Sequence, residues 1–187
     1  MQAAATPLRI VKNPPGELET LFRAHSGRIF RTAHRITGSA ADAEDVLQTV
    51  FLRLAKSHET YDLSPNAEAY LSRAAINASL DLMRSRSRVR SVGLDDTDAG
   101  ALESHVQNPE AQQVDRELQK LIRQAVARLG KTAAEMFVLR YYEGHENQEI
   151  ARLLDTSPMV VGVVLHRART KLRREIGQYL KKHQERV

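Results

Sequence analysis

Four arginines with no acid between them stand at 84–90, and their chemistry suits phosphate oxygens. They are Arg84, Arg86, Arg88 and Arg90. Short basic runs of this kind indicate nucleic-acid binding when the rest of the chain agrees. The alternative is a solvated basic helix end, where cations favour the negative pole of the helix dipole.

The residues before this cluster predict a helix over 70–90. Leu71, Ala75, Ala78 and Leu82 recur at helical spacing and form an apolar stripe that requires a core. Arg73 and Asn77 fall on the opposite face, in line with the arginines. Tyr70 at the start of the helix and Tyr61 in the preceding loop could stack on unpaired bases, although Tyr70 could equally be a core residue.

A second cluster is acidic and lies on a helix predicted over 39–57. Its members are Asp42, Glu44, Asp45 and Gln48. DNA phosphates would repel this face, so it suits a protein partner; acids at a helix N-terminus also favour the dipole. The carboxylates could hold a metal, but no second ligand cluster accompanies them, and the seven histidines include no pair at i, i+4. We therefore expect no metal, no cofactor and no catalytic residue.

The C-terminal part predicts a helix-turn-helix: a short helix over 147–154, a four-residue break, and a long helix to about residue 182. The long helix carries a basic series: Arg167, Arg169, Lys171 and Arg173. Its core stripe uses Val161 and Leu165, which leaves Val160 and Val163 facing outward. Valine cannot hydrogen-bond a base edge. Either this helix lies on DNA through phosphates alone, or the apolar patch binds a protein.

Composition limits the remaining possibilities. The chain has 187 residues, a net charge of +5 and no cysteine. It can form one domain or two small ones, with modest long-range attraction to a polyanion. Disulfides and cysteine-based zinc sites are excluded, and a reducing cytoplasm is the expected location. Residues 1–16 lack the apolar region of a signal peptide, and no run is apolar enough to span a membrane.

The pattern predicts an all-α fold of two small helical domains joined by an acidic flexible linker, the second domain containing the helix-turn-helix. We assign 1–16 to a flexible arm, 17–90 to the first domain, 91–108 to the linker and 109–187 to the second domain. Besides those above, we expect helices over 17–37, 109–129 and 132–143. Glycine or a cap-plus-proline pair marks most of their ends.

Three motifs, in this order, resemble bacterial sigma-70 family sigma factors of the extracytoplasmic-function (ECF) type. The first is DAEDVLQ at 42–48 followed by VFL at 50–52. The second is Tyr70-Leu71 with Asn77, Asp81 and Arg84. The third is YEG at 142–144, EIA at 149–151 and HRAR at 166–169 with Leu172-Arg173. The resemblance covers residues 18–174.

The resemblance implies a subunit that binds core RNA polymerase and directs it to promoters, without catalysing a reaction. The acidic set at 42–48 would dock on polymerase. The first domain would open the −10 element with Tyr61, Tyr70, Arg73, Asn77 and the four arginines, and the second would bind the −35 element with the basic series. An anti-sigma factor would be a further partner.

Two departures from the family pattern affect this interpretation. The family more often has tryptophan at the position of Tyr70. Its −35 reading residues, usually threonine, a basic residue, serine and arginine, are replaced by Val160, Gly162, Val163 and Val164. We expect weak base-specific −35 readout. A helix-turn-helix regulator, or a sigma-like protein that sequesters partners without initiating, is the alternative function.

Overall fold

The computed structural model describes residues 17–56, 67–91 and 109–184, and all regular structure within those ranges is α-helical. This confirms the all-α prediction. The helices are α1 Glu17–Thr37, α2 Ala40–Lys56, α3 Ala67–Ser91, α4 Pro109–Ala127, α5 Lys131–Tyr141, α6 Asn147–Leu153 and α7 Pro158–Gln184. None of these helices is long and apolar enough to cross a membrane. The predicted arm, residues 92–108 of the predicted linker and Tyr61 lie outside the described residues.

The predicted boundary between α1 and α2 at 37–39 is confirmed, whereas α5 ends at Tyr141, two residues before its predicted end at 143. Gly38 follows α1 with φ +74°, and Gly144 follows α5 with φ +82°, conformations that residues with a Cβ adopt at a cost. Ser39 caps α2, because its hydroxyl accepts the backbone N–H of Asp42 at 3.3 Å. These local signals separate α1 from α2 and stop α5 before the helix-turn-helix.

Helices α1, α2 and α3 share one apolar core, as their patterns predict. Ile29 and Ala33 of α1, Val46 of α2, and Leu71 and Ala75 of α3 are buried in the same cluster. Each of these helices has 17 residues or more, so each contributes an apolar stripe several turns long to the shared core. This packing fixes which faces of α2 and α3 remain for partners.

The C-terminal helices contain the predicted helix-turn-helix. Asp155 turns the chain between α6 and α7 with φ +49°, and Pro158 is the first residue of α7. The Ser157 hydroxyl accepts the backbone N–H of Val160 at 3.3 Å and so caps α7. Val161 and Leu165 are buried, as the stripe predicted. Helix α7 therefore starts regularly in spite of its valine-rich first turns.

Helix α3 has a second apolar stripe, which the sequence analysis did not identify. Ile76 and Leu80 are completely buried, and Met83 packs against the same cluster. That cluster also contains Val126 of α4 and Leu139 of α5. The N-terminal helices (α1–α3) and the C-terminal helices (α4–α7) are thus joined by a continuous apolar core along α3.

Candidate nucleic-acid interface

Arg73 and Asn77, both predicted to bind DNA, contact the C-terminal helices in this structure. The Nε of Arg73 donates to Oε1 of Glu135 at 2.9 Å, and its Nη1 donates to the carbonyl oxygen of Leu153 at 3.0 Å. The Nδ2 of Asn77 donates to the same Glu135 oxygen at 3.4 Å. Glu135 lies on α5 and is only 5% exposed. One buried carboxylate therefore engages two predicted DNA-binding side chains.

Arg84 binds the carboxyl end of α4 and the turn that follows it. Its Nε donates to the carbonyl oxygen of Ala127 at 2.9 Å, and its Nη2 donates to that of Leu129 at 3.4 Å. The last carbonyls of a helix have no partner within the helix and carry partial negative charge. A guanidinium satisfies both the hydrogen bonds and the charge. Arg84 thus joins the two sets of helices, and it also pairs with Asp81 at 3.1 Å.

We name these side chains and the apolar residues between them the α3 contact surface. It consists of Arg73, Ile76, Asn77, Leu80 and Arg84. The polar members lie along the edges of the buried stripe, so a single face of α3 carries both the apolar packing and the donors. In this conformation the donors of three predicted −10 residues are directed at protein acceptors.

Asp42 corrects one expectation about the acidic cluster: it is buried rather than exposed. Only 4% of Asp42 is accessible, and its carboxylate forms an ion pair with Arg86 of α3. Burial raises the pKa of Asp42, while the charge of Arg86 opposes that rise. The reason for the burial is that Asp42 begins α2 against the basic end of α3. Asp42 is therefore placed to hold α3 rather than to meet a partner.

The other three members of the acidic cluster face solvent. Glu44, Asp45 and Gln48 are exposed along one side of α2, away from Val46 and Val50 in the core. Of the remaining residues predicted to bind the −10 element, Arg88 is exposed and Tyr70 is 37% exposed. Tyr61 and the side chain of Arg90 lie outside what the structure describes. Polymerase and DNA binding by these residues remain predictions.

The basic series of α7 is mostly exposed. Arg167, Arg169 and Arg173 face solvent, whereas the Nζ of Lys171 donates to the carbonyl oxygen of Arg128 at 3.2 Å. Lys171 thus binds the turn that follows α4. Three of the four predicted −35 residues are available to a polyanion in this conformation.

The valine-rich start of α7 presents apolar side chains to solvent, as predicted. Val160 is 44% exposed and Val163 is 46% exposed, with Met159 beside them at 79%. Val164 is partly buried against the core. The face on which base-contacting side chains would stand therefore has no hydrogen-bonding group at 160 or 163.

A second polar contact between the two sets of helices escaped the sequence analysis. Thr32 of α1 donates to Oε1 of Glu143 at 3.1 Å, and Arg35 donates to the carbonyl oxygen of Tyr142 at 3.0 Å. Arg35 also lies 3.7 Å from the Glu143 carboxylate. Tyr142 and Glu143 belong to the YEG motif, but a motif does not reveal its partner 107 to 111 positions away.

The described residues contain no candidate metal-binding site. No group of three or more histidine, cysteine, aspartate or glutamate residues there is arranged to hold an ion. Asp42, the first carboxylate of the acidic cluster, is turned inward to Arg86 instead.

Comparison with known proteins connects these surfaces to one family. The family models Sigma-70 region 2 and Sigma-70, region 4 match residues 21–89 and 119–172. The chain is 32% identical over 165 residues to the ECF RNA polymerase sigma factor SigE of Mycolicibacterium smegmatis, an alignment that covers 88% of this chain and 62% of that protein. It is 30% identical over 161 residues to the RNA polymerase sigma-E factor of Streptomyces coelicolor, covering 86% of each.

A solved structure supports the fold. The sigma factor RpoE of Bartonella quintana, in complex with the anti-sigma factor NepR, superposes with a TM-score of 0.51 at 16% identity, covering 87% of this chain and 98% of that one. At this identity the likeness concerns the arrangement of helices alone.

Proposed function

Because the chain belongs to the sigma-70 family of RNA polymerase sigma factors, in its ECF group, we propose that it binds core RNA polymerase and directs it to promoters. The observation that carries this proposal is the presence of both sigma-70 regions in one chain, in order, with an exposed acidic face in the first and a helix-turn-helix in the second. The role belongs in the cytoplasm, where polymerase and chromosome lie. The subunit itself needs no catalytic residue.

The polymerase-binding surface we propose is the exposed side of α2 formed by Glu44, Asp45 and Gln48. Its negative charge would repel DNA but attract a basic protein surface. The opposite side of α2 is used by the core, so the exposed side is the one left for a partner. Asp42 would contribute indirectly, because its pairing with Arg86 joins α2 to α3.

The −10 element would meet α3 and its basic end. Arg86 is about half exposed despite its pair with Asp42, and Arg88 is exposed. Arg73, Asn77 and Arg84 would join them once released from the C-terminal helices. Tyr70, with more than a third of its surface exposed, offers a ring to an unstacked base.

The −35 element would meet α7 mainly through its phosphates. Arg167, Arg169 and Arg173 supply charge, while the valines at 160 and 163 supply only apolar contact with a thymine methyl. We therefore propose that sequence choice at −35 is weak. Binding of the full chain to randomised duplexes at one salt concentration tests this, and mismatch costs above about 1 kcal/mol at several positions would contradict it.

An anti-sigma factor is a proposed further partner. A sigma factor of similar fold, RpoE of Bartonella quintana, was solved in complex with the anti-sigma factor NepR. The exposed apolar patch of Met159, Val160 and Val163 is a candidate contact for a protein of this kind.

Run-off transcription tests the proposed function directly. Core RNA polymerase alone and core polymerase with this chain are compared on a library of randomised promoters, and transcript starts are sequenced. The proposal expects new starts that depend on the chain and share a −10 sequence. Binding of core without any new start would favour the alternative of a sequestering protein that does not initiate.

A further inference from the structure

We propose that the cleft between the end of α1 and helices α4 and α5 binds a nucleoside phosphate. The cleft has a volume of about 420 Å³. Cationic and aromatic side chains line it: His34, Arg35, Arg123, Tyr141 and Tyr142. Pockets that hold small molecules begin at roughly 300 Å³, so a single nucleotide is an occupant of suitable size. This small-molecule site goes beyond the proposed promoter function and does not depend on it.

Arg123 reaches the cleft because residue 38 is a glycine. A Cβ at Gly38 would stand 2.5 Å from Nη1 and 2.6 Å from Cζ of Arg123, so the guanidinium lies directly over the Gly38 backbone. The Nη2 of Arg123 donates to Oε1 of Gln119 at 3.2 Å, and this acceptor is uncharged. The hydrogen bond orients the guanidinium without offsetting its positive charge, so an anionic ligand can pair with it.

Arg35 supplies a second guanidinium from the last turn of α1. Its Nη1 donates to the carbonyl oxygen of Tyr142 at 3.0 Å and lies 3.7 Å from the Glu143 carboxylate. A guanidinium carries five N–H donors, and the Arg35 side chain is 56% exposed, so this contact leaves donors for a phosphate. Two guanidiniums, of Arg35 and Arg123, against the single carboxylate of Glu143 give the cleft a net positive charge.

Tyr141 and Tyr142 form the aromatic side of the cleft, and the Phe137 ring supports both of them. The centroid of the Phe137 ring lies 4.5 Å from that of Tyr141 and 6.4 Å from that of Tyr142. Tyr141 is 45% exposed in spite of this packing. The base of a nucleotide can stack on an exposed aromatic face of this kind, whatever its sequence identity.

The cationic and aromatic sides of the cleft lie close enough for one small molecule to contact both. Burial raises the pKa of Tyr142, and the nearby positive charge of Arg123 opposes that rise. On the α1 side, His34 stacks on Phe30 with ring centroids 6.1 Å apart. A phosphate at the guanidiniums and a base on the tyrosine face would together use the whole cleft, and a nucleoside phosphate combines these two groups.

Calorimetric titration of the full chain with adenosine 5′-diphosphate (ADP) tests the proposal. We expect one site per chain. Inorganic phosphate alone and adenosine alone should each bind roughly tenfold more weakly than ADP, because each engages only one side of the cleft. Equal affinities for phosphate and ADP would indicate an adventitious ion only and would overturn the proposal. No binding of ADP at millimolar concentration would also overturn it.

Arg123→Gln removes the guanidinium charge and keeps a hydrogen-bonding amide. It should weaken ADP binding by roughly tenfold, the effect of losing a charge-assisted hydrogen bond. Arg31→Gln is the matched control, because Arg31 is exposed one turn before Arg35 and does not line the cleft. The control should bind ADP like the parent chain. Equal losses in the two variants, both verified as folded by circular dichroism, would contradict the proposal.

Tyrosine signals give a second measurement, which uses the parent chain and does not require a charge variant to fold. The chain has five tyrosines, so carbon-13 labelling of their rings yields a small set of nuclear magnetic resonance signals, assigned by single Tyr→Phe substitutions. ADP should shift the signals of Tyr141 and Tyr142 and leave that of Tyr70 unchanged. A shift at Tyr70 in place of the cleft tyrosines would assign the nucleotide to the proposed −10 surface and overturn the proposal.

Single-stranded DNA distinguishes a free nucleotide from a nucleic-acid strand as the occupant. The full chain is titrated with an oligonucleotide of about ten nucleotides, a length that single-strand binding sites accommodate. We expect Arg123→Gln to weaken the binding of ADP and to leave the binding of this oligonucleotide unchanged. Weaker oligonucleotide binding by Arg123→Gln, with ADP binding unaffected, would assign the cleft to a strand and refute the proposal.

Discussion

Substitution by alanine should have opposite effects on stability at two glycines near the helix-turn-helix, Gly162 and Gly144. Gly162 is in the second turn of α7 with helical backbone, and a Cβ there would meet only the Nδ2 of Asn147, at 3.9 Å. Alanine should therefore fit and stabilise, because glycine inside a helix costs about 0.5–1 kcal/mol relative to alanine. For a chain of this length that corresponds to a rise in Tm of roughly 1–4 °C.

Gly144 is the control, since a Cβ there also has open space but the backbone has φ +82°. Alanine in that conformation costs roughly 1–2 kcal/mol, so Gly144→Ala should lower stability by about 1 kcal/mol after its effect on the unfolded chain is included. Thermal and guanidinium unfolding followed by circular dichroism measure both. A destabilising Gly162→Ala would refute the description of α7 as a regular helix from its first turns, and Gly144→Ala at parental stability would refute the left-handed glycine turn after α5.

Three further predictions concern the partner surfaces and Asp42. Asp45→Lys should weaken co-purification with core polymerase severalfold and leave helicity unchanged, whereas Asp115→Lys on exposed α4 should have no such effect; equal binding by both would count against the α2 surface. Replacing Arg88 and Arg90 by alanine should reduce the slope of log binding constant against log salt concentration, for holoenzyme on promoter DNA, by up to roughly two. Each phosphate contact contributes about 0.9 to that slope. The control Arg23→Ala should leave it unchanged. Because the folded protein retains a proton on Asp42 that the unfolded chain has released, the parent should lose stability relative to Asp42→Asn as pH rises from the ordinary value of 3.8 through the raised pKa. Guanidinium titrations across the acid range measure that difference, and a constant difference would show that burial does not raise the pKa.

Local signals in the sequence were sufficient for the helices and their ends. Ser39, Gly38 and Gly144 act within a few residues, so their effects could be predicted without knowing the rest of the fold. The outward position of Val160 and Val163 followed in the same way from the buried positions of Val161 and Leu165.

The contact between the two sets of helices could not be predicted from such signals. Ile76, Leu80 and Met83 have helical spacing and could have indicated a second buried stripe on α3, but their partners lie on other helices far along the chain. The same non-local packing explains Asp42, whose inward position depends on Arg86 of α3 rather than on its own helix. Arginines selected for DNA binding by their charge were therefore found bound to Glu135 and to the end of α4.

The central claim is that the chain binds core RNA polymerase and directs it to promoters. Run-off transcription on a library of randomised promoters, with core polymerase alone and with core polymerase plus the chain, tests it most directly. The account predicts new transcript starts that depend on the chain and share a −10 sequence. The same starts with and without the chain would contradict it.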